Sequence, residues 1–168
     1  MIDSLYQDTI KKLTNDIRPQ IKLTPELIEA LRAKWPESLQ KVLCILNHTQ
    51  NTTAEFNDLF FASLREISDQ QLLIFLLGAS EKHIISHSFM TGNMVPSEYF
   101  EILKNLLQTK NPEVLEWTLR TIERMGPLNL RMQNEIRKSK PGFTKFFNSH
   151  LRTSDEIIDL LEKQWKRN

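Results

Sequence analysis

Apolar side chains recur three and four residues apart along almost the whole chain, and this spacing constrains the fold more than any other feature. In an α-helix it gathers those side chains on one face, whereas in a strand it would scatter them over both. Ile2, Leu5, Tyr6, Ile10, Leu13 and Ile17 form the first such run and predict a helix ending near Pro19. Thr24 then offers a capping hydroxyl, and Pro25 a first-turn residue whose missing N–H is not needed there. They open a helix with Leu27, Ile28 and Leu31 inward, which Pro36 interrupts. A third helix carries Leu39, Val42, Leu43 and Leu46 toward the polar stretch from His48 to Thr53, and a fourth carries Phe56, Leu59, Phe60, Leu64 and Ile67.

Ser68 and Gln71 read as a capping box before QQLLIFLLGA, which is apolar on more than one side and is expected to be the central buried helix. SFMTGNMV reads as a loop leading to Pro96 and a helix with Tyr99, Ile102, Leu103, Leu106 and Leu107. Asn111 and Pro112 supply cap and first turn for a helix through Leu115, Leu119, Ile122 and Met125, stopped by Gly126-Pro127. LNLRMQNEIRKSK is a weaker helical segment and SKPGFT a turn. Thr153 and Glu156 read as the cap of a last helix with Ile157, Leu161 and Trp165 inward. No strand pattern is present. About nine helices joined by short turns predict an all-α fold of stacked helix hairpins, armadillo- or HEAT-like, although no strict repeat period is visible.

With 168 residues, the chain is expected to form a single helical domain, 1–168. Cys44 is the only cysteine, so no intramolecular disulfide forms, and between Leu43 and Ile45 it reads as a buried small apolar residue. The longest apolar stretch, Leu72 to Ala79, is far short of the ~20 residues that span a bilayer. Asp3 and Asp8 stand where an export signal needs basic residues, so a soluble cytoplasmic protein is expected.

Chemistry is sparse. His83 and His87 share a helix face at a spacing that suits a metal pair, but no third ligand and no intervening glutamate accompany them. They are read as solvent-facing or core-edge histidines, with no metal and no cofactor expected. Ser80 follows Gly78-Ala79 without completing a nucleophile elbow, and no glycine-rich phosphate loop is present, so no enzymatic role is expected.

The charge distribution is more informative. Residues 117–152 hold eight basic side chains against two acidic ones, a net of +6 in a chain whose overall charge is +1. Arg131, Arg137, Lys138, Lys140, Lys145 and Arg152 form the candidate basic surface, with Phe143, Phe146 and Phe147 among them. One reading makes this a nucleic-acid surface of cations and base-stacking rings; the other packs the rings inside and leaves the cations solvated.

Residues 64–81, LREISDQQLLIFLLGASE, resemble the C-terminal domain of the flagellar motor switch protein FliG, whose pattern there runs L-x-E-V-x-x-x-x-L-x-x-A-L-K-G-A-x-E. After an apparent insertion near Thr91 to Met94, Glu101 to Leu107 is similar to the family's D-I-L-R-D-D-L, and Lys110-Asn111-Pro112 falls on its R-G-P. The resemblance covers roughly residues 58–126 and leaves an N-terminal helical segment, 1–50, and a basic segment, 127–168, outside it. It implies an armadillo-like stack in a non-enzymatic rotor component at the cytoplasmic face of a flagellar basal body, working by contact with protein partners.

The charged ridge through which that family engages the stator is largely lost. Its lysine falls on Leu77, its opening arginine on Glu98, its paired aspartates on Asn105 and Leu106, and its later arginine near Val114. A second register, aligning Gly126-Pro127 with the family's G-P, puts Arg120, Thr121 and Asn129 at ridge positions and fails likewise. Glu98, Lys104 and Asn105 remain as the candidate partner-binding ridge. The expectation is therefore a protein-protein interaction module without the usual torque chemistry. The alternatives are an unrelated HEAT-like scaffold, or a nucleic-acid-binding helical repeat using residues 117–152.

Overall fold

The computed structural model describes residues 2–20, 24–33 and 36–166, and among them every regular element is helical. The helices are α1 (Ile2–Thr14), α2 (Pro25–Ala33), α3 (Pro36–His48), α4 (Asn57–Glu66), α5 (Gln70–Ser80), α6 (His87–Thr91), α7 (Ser97–Leu106), α8 (Pro112–Glu123), α9 (Gln133–Lys138) and α10 (Ser149–Trp165). They gather into two compact units, Met1–Val95 and Pro96–Asn168, whose boundary falls inside the 58–126 segment.

In the first unit α2 packs on α3 and α4 on α5, while α1 also packs on α3 and α3 on α5. In the second, α7 packs on α8 and α8 on α10. Contact with both the next helix and the next but one is the arrangement of stacked hairpins.

Local chemistry sets the helix ends. Asn111 accepts from the Glu113 and Val114 amides at 3.0 and 3.1 Å, so the expected Asn-Pro start of α8 holds, and such a cap contributes about 1 kcal/mol. Gly126, with φ +56°, lies just beyond the end of α8, as expected of a C-terminal glycine.

Other boundaries move. α1 ends at Thr14, before Pro19, because Asp16 adopts φ +57° and the Ile17 amide donates to Lys12 O while the Asp16 amide donates to Leu13 O. Those two bonds satisfy the terminal carbonyls, and Ile17 is left exposed. Asp69, not Ser68, caps α5 by accepting from the Leu72 amide at 2.9 Å. Asn148, not Thr153, caps α10, which therefore starts a full turn early. The break before Pro36 falls on residues 34–35, outside the described residues.

α5 is buried nearly all round, as expected, with Leu76, Leu77 and Ala79 fully enclosed. A Cβ on Gly78 would stand 2.8 Å from Asn47 Oδ1, so glycine is what admits the Asn47 side chain between α3 and α5. There Asn47 Nδ2 donates to Phe75 O at 3.2 Å. The helix does not stop at Ala79. It runs on through a π-helical turn, Glu81–Ser86, into α6, so Ser88 to Thr91 are helical where a loop was expected, and Gly92 at φ +70° ends it.

Candidate functional site

The two features with functional chemistry lie one in each unit. The first is the basic segment of Pro96–Asn168. α10 turns three carboxylates toward it: Lys145 Nζ lies 2.6 Å from Asp155 Oδ2, Lys140 bonds Asp159 and lies 3.8 Å from Glu162, and Arg137 Nε lies 3.3 Å from Glu162 Oε1. The hydrogen bond between Lys140 and Asp159 holds the ammonium above its ordinary pKa and the carboxyl below its own. Arg131 lies over the Phe100 ring at 4.1 Å. Of the six predicted basic-surface residues, Arg131, Lys138 and Arg152 are the exposed cations without an ion pair among the described residues. A nucleic-acid surface would need these cations free for phosphate, and half of them are committed to carboxylates instead.

The phenylalanines overturn the reading that packs them inside. Phe143, Phe146 and Phe147 are 74%, 60% and 81% exposed. Their short 3₁₀ turn packs against α10, with Phe143 5.3 Å from Phe146 and 5.7 Å from Phe147 between ring centres. Lys145 both bonds Asp155 and approaches the Phe146 ring, and so pins the turn to the helix that follows it. That helix is anchored in turn at its first residues, where His150 Nδ1 donates to Glu116 Oε2 at 2.7 Å. Arg120 donates to the other oxygen of the same buried carboxylate. The acidic partners Asp155, Asp159 and Glu162 went unnoticed in the sequence, although their three- and four-residue spacing marks one helix face.

The predicted ridge residues are divided. Glu98 and Asn105 are exposed on α7, seven residues apart and so on one face, and Lys104 is drawn to Glu101 at 2.9 Å. Leu106 is half-buried, and Leu77, in the other unit, is fully enclosed and offers no surface.

No family model, curated protein or solved structure matches the chain.

The second feature is the π turn of Met1–Val95. His83 was expected at the surface or core edge, yet it is 1% exposed and its ring stands against Phe56 and Phe60. Thr53 N–H donates to Nδ1 at 3.2 Å, and Nε2 lies 3.1 Å from Leu46 O. A carbonyl only accepts, so the proton is on Nε2 and the imidazole is neutral. Burial pushes its pKa down to about 4, with Lys82 and His87 adding to the effect. Lys82 Nζ donates to Asn47 O and Thr49 O, and His87 Nδ1 pairs with Thr52 Oγ1 at 2.9 Å. Consecutive residues of one turn thus cap the carbonyl end of α3 and hold the loop beyond it.

A cavity of about 250 Å³ lies beside this loop, lined by Thr49, Asn51, Thr53, Glu55, Phe56 and His83 among others. Both ring nitrogens of His83 are already bonded to backbone, and no group of three or more metal-ligating side chains converges among the described residues. Cys44, expected to be buried, is half-buried, and its Sγ lies 3.8 Å from His48 Nδ1. No helix among the described residues is long and apolar enough to cross a membrane.

Proposed function

We propose that this chain is a non-enzymatic protein-interaction module that docks a protein partner through the aromatic turn at Phe143, Phe146 and Phe147. The exposure of the three rings together carries this reading. At about 200 Å² per ring they hold roughly 400 Å² of apolar surface in water, and aromatic anchors of this kind dominate protein interfaces. A nucleic-acid partner is disfavoured because Arg137, Lys140 and Lys145 are already committed to the carboxylates of α10 rather than free for phosphate.

The test is the Phe146→Ser/Phe147→Ser double variant, in which only exposed rings change. Helicity and thermal midpoint are expected to stay within a few degrees of the parent, while proteins retained from native cytoplasm by the parent chain are lost. Undiminished retention by the double variant would defeat the proposal. So would submicromolar, salt-sensitive binding of DNA or RNA at physiological salt, which would install the nucleic-acid reading instead.

The resemblance of residues 64–81 to the FliG C-terminal domain supports a narrower version, a flagellar rotor component at the cytoplasmic face of the basal body. Leu77 is enclosed and Asn105 is uncharged, so the ridge contact with a stator has no means of forming in the family's way. Partners on this reading are rotor-side. Supplied alone or grafted in place of the native C-terminal domain in a motile bacterium lacking FliG, the chain is expected not to restore swimming; restored swimming would show that torque transfer survives without those charges.

A further inference from the structure

His83 has one acceptor nitrogen, and the structure uses it for the backbone. Nδ1 takes the Thr53 N–H, Nε2–H goes to Leu46 O, and the rings of Phe56 and Phe60 close the remaining sides. The loop from Thr49 to Thr53 is tied at Gln50, whose amide donates to Pro19 O, and from Thr52 on it is held by side chains of the π turn and the helix after it, His83 at Thr53 and His87 at Thr52, with Lys82 at Thr49. The cavity beside the loop gives it room to move.

We propose that the Glu81–Ser86 turn is an acid-operated latch, in which a proton taken from solvent at His83 Nδ1 breaks the bond to the Thr53 amide and releases that end of the 49–53 loop. The added proton turns the acceptor into a donor facing a donor, so the bond is lost outright rather than weakened. The new cation also has poor company. Lys82 on the same turn and His87 on the next act on it with like charge, α3 presents the Leu46 carbonyl, and the aromatic residues before and within α4 present rings. Glu55 is the carboxylate that lines the same cavity. Release carries Thr52 and Thr53 away from the turn and opens the cavity onto Phe56.

The experiment is amide hydrogen exchange by NMR on the full chain from pH 7.5 to 4, corrected for the intrinsic pH dependence of exchange. With His83 falling from an ordinary 6.5 in the open state to about 4 in the closed one, the opening equilibrium at Thr53 is expected to rise about 100-fold by pH 4. The amides of Leu73 to Leu76 in α5, which open only with the whole unit, are expected to stay far better protected than Thr53 at every pH, although the same proton weakens them too. His83→Gln keeps a donor and an acceptor but does not titrate, and its Thr53 protection is expected to stay level within about twofold. Flat Thr53 protection in the parent chain overturns the latch, as does a pH response surviving in His83→Gln. Thr53 and α5 opening with the same free energy at every pH would mean that Thr53 exchanges only by global unfolding, and overturns it too. Should His83→Gln fail to fold, the contrast between Thr53 and α5 in the parent chain decides alone.

Discussion

Substituting Leu77 by lysine is expected to unfold Met1–Val95 at neutral pH. Leu77 is fully enclosed within α5, a helix buried on nearly every side, so a lysine ammonium there has neither water nor a carboxylate to meet it. Burial on this scale lowers a lysine pKa by several units, a penalty of roughly 4 kcal/mol or more, which is most of the stability of a unit of this size. Leu77→Met should cost less than about 1.5 kcal/mol and Leu77→Ala about 2–5 kcal/mol. Urea titrations followed by NMR signals of the first unit measure all three. Partial refolding of Leu77→Lys at alkaline pH would identify the charge as the cause, and an unchanged urea midpoint would refute the burial of α5.

Acidification is expected to remove roughly 3 kcal/mol from the first unit between pH 7 and pH 4, through His83 alone. The unfolded chain protonates this imidazole near 6.5, whereas the folded one holds it neutral until about 4. Over that window the unfolded state binds more protons, so stability falls as pH falls, and this contribution levels off below pH 4 and above pH 6.5. Urea midpoints at half-unit steps in the parent chain and in His83→Gln isolate the term, since carboxylates titrate equally in both. A parent chain whose pH dependence matches that of His83→Gln would mean that the buried imidazole carries no such penalty.

What was legible in the sequence was mostly what is decided within a few residues. The Asn111-Pro112 start and the Gly126 stop of α8 depend on local backbone chemistry, and both stand. Where two candidate caps compete, neighbours decide: Asp69 displaces Ser68 because its carboxylate reaches the Leu72 amide, and Asn148 displaces Thr153 because α10 begins earlier to seat His150 on Glu116. The continuation of α5 is legible as far as His87, whose spacing from His83 is helical, whereas Ser88 to Thr91, just ahead of Gly92-Asn93, reads as a loop and is helical.

The candidate sites were harder, because each depends on segments distant in the chain. That Lys140 and Lys145 meet α10, or that His83 meets Leu46 and Thr53, is a matter of tertiary placement with no local signature. The glycine of the Leu-x-Gly-Ala run had a purely structural meaning that only its distance to Asn47 reveals.

The pairing of Arg137, Lys140 and Lys145 with carboxylates has a kinetic side. A surface whose cations are answered within a few ångströms casts little field beyond the Debye length, so the aromatic turn does not draw a partner in from a distance. Encounter there proceeds at the unsteered rate, about 10⁵–10⁶ M⁻¹s⁻¹, and is nearly indifferent to ionic strength. The discrimination among partners then falls on residence time: on how well a receiving pocket encloses Phe143, Phe146 and Phe147, and how slowly it lets them go.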